Sequence, residues 1–131
     1  MQMPRWRGFD SPFGDIWTVL DGIVINVLPG RDTNYVYTCQ DASKYADTAT
    51  DSYVKVGEEV YQYGYTRSFD LGDAAHIIPH AIGGDNTKYT CDYHWAGSSR
   101  GAHLLSVGGE GSHGAAAGLG CCSSLSIATA T

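Results

Sequence analysis

Between Ile16 and Val27 the only charged side chain is Asp21. Ile16, Trp17, Val19 and Leu20 lead into it, and Ile23, Val24, Ile25 and Val27 lead out. Asp21-Gly22 stands between the two apolar runs. Asp-Gly suits a type I′ turn, whose two central residues both need positive φ. The pattern therefore predicts a β-hairpin. Its lack of a polar face places that hairpin in the middle of the core rather than on its rim.

Period-two alternation continues downstream. In Asn34 to Cys39, Tyr35, Tyr37 and Cys39 share one face of a predicted strand and Val36 takes the other. Asp41 to Ala46 reads as one helical turn with Asp41 as its N-cap. Tyr53–Gly57 and Glu59–Tyr63 read as two short strands around a glycine turn, and Gly64–Gly72 as irregular. Ala74–Ile78 reads as a brief helix stopped by Pro79, and Ile82–Asn86 as a loop. Lys88–Trp95 and His103–Val107 read as strands, the second ending in Gly108-Gly109. Residues 1–12 read as an entry arm, with Trp6 and Phe9 packed and Arg5 and Arg7 wet. Many short strands, few brief helices and long loops make the predicted class α+β and strand-dominated.

Composition narrows the choice of function. The chain has 131 residues, which predicts one domain spanning 1–131 with a modest core. Aromatics and sparse charge argue against disorder. A net charge of −6 argues against a nucleic-acid partner, whose phosphates call for clustered Lys and Arg. No apolar run is long enough to span a membrane as a helix. MQMPRWRGF lacks the apolar stretch of a signal peptide.

The recurring catalytic motifs are missing. No GxSxG, HExxH, phosphate-loop or EF-hand pattern occurs. His76 and His80 have the spacing of a zinc-binding helix, but Pro79 breaks any regular turn between them. No CxxC spacing marks a zinc site, so neither metal nor other cofactor is expected. Of the four cysteines, Cys121 and Cys122 are adjacent and Cys39 and Cys91 distant. Buried free thiols are the expectation, with a Cys39–Cys91 bridge as the alternative. Asp92, His94 and His103 can converge, although no spacing requires it. Glu58 and Glu59 are neighbours on a predicted strand, so they point to opposite faces and cannot act alone as an acid–base pair.

A binding surface is better supported. Gly108–Ser124 is a glycine-bracketed segment after a rigid strand, and binding residues often sit on loops held by such a scaffold. It carries Glu110, Ser112 and His113. Tyr89, Tyr93, His94 and Trp95 add amphipathic rings that supply contact area at low entropic cost. The competing view is that these rings are core and the loop a plain connector.

Two groups of motifs carry a resemblance. Gly8-Phe9-Asp10-Ser11-Pro12-Phe13-Gly14-Asp15-Ile16-Trp17, followed by Leu20-Asp21-Gly22-Ile23, resembles a GxxNPFGxIWxxxDGI segment of phage and prophage tail- or head-fibre proteins, notably from phages of gut bacteria. Tyr35–Cys39, Tyr89–Trp95, Leu105–Gly109 and Ala117–Leu119 are similar to the same proteins in the same order. Those modules resemble the formylglycine-generating-enzyme type of C-type lectin-like fold. Phe13–Trp17 and Val107–Gly109 would match two of its core strands.

The resemblance implies a single receptor-binding domain of a virion fibre. It would recognise a bacterial surface glycan or protein beside other virion proteins, usually as a homotrimer. Ligand-varying relatives place their variable residues after the Gly-Gly pair. That correspondence implies Glu110, Ser112, His113, Cys121, Cys122 and Ser123 as contacts, to which the rings of Tyr93, His94 and Trp95 are added. The family's usual closing strand is not found before Thr131, which would leave an open edge beside Leu104–Val107. The family oxidases use a cysteine pair that Cys121-Cys122 does not match, so no enzymatic activity is carried over. A surface-polysaccharide depolymerase and a structural decoration protein are the alternatives.

Overall fold

Ile23–Val27 is extended, as its β-branched side chains favour, yet it does not fold back on the apolar residues before it. The computed structural model describes residues 5–6, 9–10, 16–73, 76–90, 92–118 and 120–125. Among them are ten strands: β1 (Arg5–Trp6), β2 (Phe9–Asp10), β3 (Thr18–Val27), β4 (Thr33–Thr38), β5 (Val54–Val60), β6 (Gly64–Leu71), β7 (Ile77–Ile82), β8 (Tyr93–Trp95), β9 (Gly101–Val107) and β10 (Cys122–Ser123). Among the described residues helical structure is limited to two 3₁₀ turns, Ala42–Lys44 and Gly111–Ala116. β1 pairs with β2. The other eight form one mixed sheet in the order β5-β4-β3-β9-β10-β8-β6-β7. Every pairing in it is antiparallel except β10 with β8. The fold is thus strand-dominated, as expected.

The sheet curls until its two outer strands approach. The Asp73 amide donates to the Val56 carbonyl at 2.8 Å, tying the turn after β6 to β5. Glycine makes this approach possible: a Cβ on Gly72 would lie 2.7 Å from the Val56 carbonyl oxygen, and one on Gly57 would lie 2.6 Å from Ile78 Cδ1. The concave face holds one core of Ile25, Val36, Val56 and Ile78, with Ile23 and Leu105 against it. The convex face of β3 and β4 holds a second core of Val24, Cys39 and Tyr53. Tyr53 fixes its covering segment by exchanging hydrogen bonds with the Ala46 amide and carbonyl at 2.9 and 3.0 Å. The Ile23–Val27 half of β3 is therefore largely apolar on both faces because both are covered there.

Several expectations are corrected. Asp21-Gly22 is an irregularity inside β3, not a hairpin turn. Leu20 pairs with Leu105 and Val24 with Leu104, so three residues of β3 bulge against β9. A type I′ turn needs positive φ at both central residues. Gly22 has φ 78°, whereas Tyr89 is the sole non-glycine with positive φ among the described residues. Ile23 to Asn26 pair with β4 instead. The two strands expected around Gly57 are one strand, β5, bulged opposite Val36 and Tyr37. Gly64–Leu71 is strand β6 rather than irregular, its alternation broken by register shifts near Ser68.

Ala74 and Ala75 lie outside the described residues, and Ile77 onward is strand, not helix. Pro79 is tolerated because β7 ends the sheet, where a missing N–H breaks no ladder. Among the described residues of Lys88–Trp95 only Tyr93–Trp95 is strand. β9 lies between β3 and β10, so Ser106 and Val107 are paired on both sides rather than forming an edge. Asp41 does cap its short turn, accepting from the Ser43 amide at 3.0 Å. The expected packing of Trp6 and Phe9, the wet Arg5 and Arg7, and Cys91 lie outside the described side chains, while Cys39, the other half of the alternative bridge, is a free thiol.

Gly22 and Gly30 separate strain from packing. Both have positive φ, but a Cβ at Gly30 meets nothing within 4 Å, while one at Gly22 lies 2.6 Å from Tyr45 Cε1 and 3.1 Å from the Cys39 carbonyl oxygen. Gly30→Ala is expected to destabilise by about 1 kcal/mol from the left-handed backbone alone, and Gly22→Ala by about 2–4 kcal/mol. Urea unfolding of the two variants checks the difference; equal losses would mean that Tyr45 yields freely.

Candidate functional site

Strand parity divides the candidate residues between two faces. On β8, His94 points into the curl and is 0% exposed, while Tyr93 and Trp95 point outward and are half-buried. Cys122 pairs with His94 and Ser123 with Trp95, so the same division holds across β10. Ser124 turns inward again.

The inward set forms a buried polar network. Glu59 reaches it because of the β5 bulge: Tyr35 opposes Glu58 on the outer face and Asn34 opposes Glu59 on the inner one. Glu59 Oε1 accepts from Ser124 Oγ at 2.6 Å and from Asn34 Nδ2 at 3.0 Å. Ser124 Oγ in turn accepts from the Gly97 amide at 2.8 Å. Burial pushes the Glu59 carboxyl up from its ordinary 4.5, against the opposing pull of His94, Ser124 and Asn34.

His94 Nε2 lies 3.1 Å from the Val60 carbonyl, which can only accept, so Nε2 carries a proton. Its 3.9 Å separation from Glu59 Oε2 is longer than a hydrogen bond. His94 Nδ1 faces Cys122 Sγ at 3.3 Å. Burial holds the Cys122 thiol well above its usual range, and Glu59 adds to the effect, so the thiol keeps its proton and donates it to Nδ1. A cysteine, a histidine and a carboxyl thus meet, but burial suppresses the thiolate that nucleophilic chemistry needs. Cys121 is 0% exposed, and burial raises its thiol to about 11. Cys39, Cys121 and Cys122 are free and buried. Asp92 does not join His94 and His103; it packs under Gly118 and Gly120, and burial raises its carboxyl too.

The outward set builds a groove. Trp95 is its centre: its ring lies 5.4 Å from Trp17 and edge-on to it, 4.8 Å from His113, and 4.4 Å from Tyr93. Tyr65, paired with Tyr93 across β6 and β8, extends the row at 5.0 Å. A groove of about 400 Å³ runs over this platform, walled by Trp17, Trp95, Glu110, His113, Ser106 and Ser123, with Val19 and Leu125 at its rim.

The loop that supplies Glu110 and His113 is internally braced. Ser112 Oγ donates to Glu110 Oε1 at 2.6 Å, and the Glu110 amide donates to His113 Nδ1 at 3.2 Å. The Gly108 amide closes the loop on the Cys121 carbonyl at 3.0 Å. Gly109, at φ 72°, allows that closure, since a Cβ there would lie 2.9 Å from Ala117 Cβ.

Of the nine candidates, Glu110, His113, Trp95 and Ser123 line the groove, Tyr93 supports Trp95, and Ser112 positions Glu110. His94, Cys121 and Cys122 are corrected: they face the interior, because alternation and the turn into β10 aim them away from the surface. Trp17, Val19 and Ser106 were missed. Trp17 and Val19 are two apart and share an outward face, a signal hidden by treating the whole run as core. Among the described residues no three His, Cys, Asp or Glu side chains group to hold a metal ion. No family model, curated protein or solved structure matches the chain.

The Glu59 network makes stability depend on pH. Below the ordinary 4.5 the folded and unfolded chains both hold this proton. Above it the unfolded chain releases the proton first, so Glu59's contribution to stability falls with rising pH until the folded carboxyl ionises. Urea midpoints of the parent and Glu59→Gln between pH 4 and pH 8 are expected to show the parent losing ground to the variant as pH rises. A constant difference would place the folded carboxyl at its unfolded value.

Proposed function

We propose that the chain is a receptor-binding module of a virion fibre, of the C-type lectin-like kind its sequence resembles, and that its outer groove binds a bacterial surface glycan. The carrying observation is the Trp17–Trp95–His113 platform with the Glu110 carboxylate beside it. Rings present flat apolar faces to the C–H face of a pyranose, and a few fixed polar groups then set orientation through the hydroxyls. Glu110 accepts hydroxyl donors, and Ser112 and His113 hold it in place. The net charge of −6 and this carboxylate favour a neutral or amino sugar over an acidic one. One shallow groove binds weakly, and display of several copies on a fibre multiplies it.

An acid–base glycosidase mechanism has less support, since it needs two carboxylates flanking the bond and Glu110 is the one carboxylate among the groove's described walls. A second reading takes the same groove as a contact between virion subunits. It is favoured by Val19, 51% exposed, and Leu125, 44% exposed, on the rim.

Trp17→Ala and Glu110→Gln separate the two readings. On an array of bacterial surface polysaccharides, each is expected to weaken binding about tenfold, a change of about 1.4 kcal/mol, with unfolding nearly unchanged. Failure of the parent protein to bind any polysaccharide, together with a change of oligomeric mass in Trp17→Ala, would sink the glycan reading in favour of a subunit contact.

A further inference from the structure

The described side chains leave space inside the curled sheet. A cavity of about 460 Å³ lies on the concave face, on the opposite side of the sheet from the outer groove. Its walls include Ile23 and Ile25 of β3, Val36 of β4, Phe69 of β6, and Leu105 and Val107 of β9. This is larger than the dry apolar voids of about 150 Å³ that admit benzene, and within the range of small-molecule sites. Most of the walls are aliphatic, offering dispersion contacts along a chain, with Phe69 the one phenyl ring among the described walls rather than a row of rings for a sugar.

The polar groups at the walls are unequal. Glu59 lines the cavity, but its Oε1 is already taken by Ser124 and Asn34. Cys122 is engaged with His94. His76 is different. Three buried side-chain atoms among the described residues lack a hydrogen-bond partner: Thr66 Oγ1, His103 Nδ1 and His76 Nδ1. Of these three residues only His76 lines the cavity. An unmet buried nitrogen costs free energy that a ligand's polar group would recover.

We propose that this cavity is a second binding site, taking an alkyl chain against the aliphatic walls and its single hydroxyl or carboxyl head at His76 Nδ1. A neutral imidazole nitrogen accepts from a hydroxyl, and a protonated one donates to a carboxylate. Both heads therefore suit the position. The site is independent of the groove: no residue is shared between the two linings.

The test is displacement of a fluorescent fatty-acid analogue from the full chain by octanoate, decanoate, dodecanoate and dodecanol. One equivalent is expected to bind. Affinity should rise roughly three- to fourfold per added methylene, the gain that burying a CH₂ gives. His76→Ala should weaken the preferred twelve-carbon ligand about fivefold or more, and whichever of dodecanoate and dodecanol binds tighter identifies the head. Val107→Phe, which narrows the cavity, should abolish binding while its circular dichroism stays native; should that variant not fold, Val36→Phe serves the same purpose. Trp17→Ala should leave alkyl binding unchanged. Absence of saturable binding by the folded parent protein would overturn the proposal. So would affinity independent of chain length, or full binding by a folded cavity-narrowed variant.

Discussion

Burying the Glu59 carboxyl at 1% exposure costs free energy unless its oxygens are met, and that constraint organises the sheet around it. Asn34 brings β4 to it, and Ser124 brings the residue that follows β10. Gly97, just past β8, joins through the Ser124 hydroxyl and through Asn34 Nδ2, which also reaches the Gly97 carbonyl at 3.3 Å. β10 is two residues long and β8 three, too short for their ladder alone to set the register. The side-chain network supplies what the ladder cannot. It fixes where Cys122 and Ser123 stand, and with them the division between interior and groove.

That division is what makes the outer face usable. Because Ser124 and Cys122 are drawn inward, Ser123 must face out beside Trp95. Because His94 is held by the Val60 carbonyl and Cys122, Tyr93 and Trp95 must face out as well. The aromatic row is thus built by interior hydrogen bonds rather than by ring–ring attraction, which contributes only about 1 kcal/mol per pair. The loop from Gly108 to Cys121 then lays His113 on Trp95 and leaves Glu110 at the groove wall.

The same parity explains why one thin sheet offers two unlike surfaces. Its concave side is mostly aliphatic with one buried carboxyl; its convex side near β8 is aromatic with an exposed one. Cys121 and Cys122 belong to the first side and act as packing and as a weak donor, not as reactive groups. Nothing in this arrangement requires the two faces to communicate.

Local pattern determined a good deal: that Ile23–Val27, Asn34–Thr38 and His103–Val107 are strands, that Asp41 caps a turn, that Glu58 and Glu59 part company, and that Glu110, Ser112 and His113 follow a strand in a glycine-bracketed segment. These follow from alternation, turn chemistry and glycine placement, which act over a few residues. The partner of each strand was not legible. Asp21-Gly22 satisfies a hairpin rule locally, yet β4 and β9 offered Ile23–Val27 better pairing than its own neighbours did. Pro79 forbids a helix interior and a central strand alike, and only the place of β7 at the end of the sheet made it a strand residue. Which of the residues near Cys121–Ser124 face outward depends on the register of β10 between β8 and β9. That register is set by Glu59, some sixty residues away in sequence, through a contact that exists only once the chain has folded.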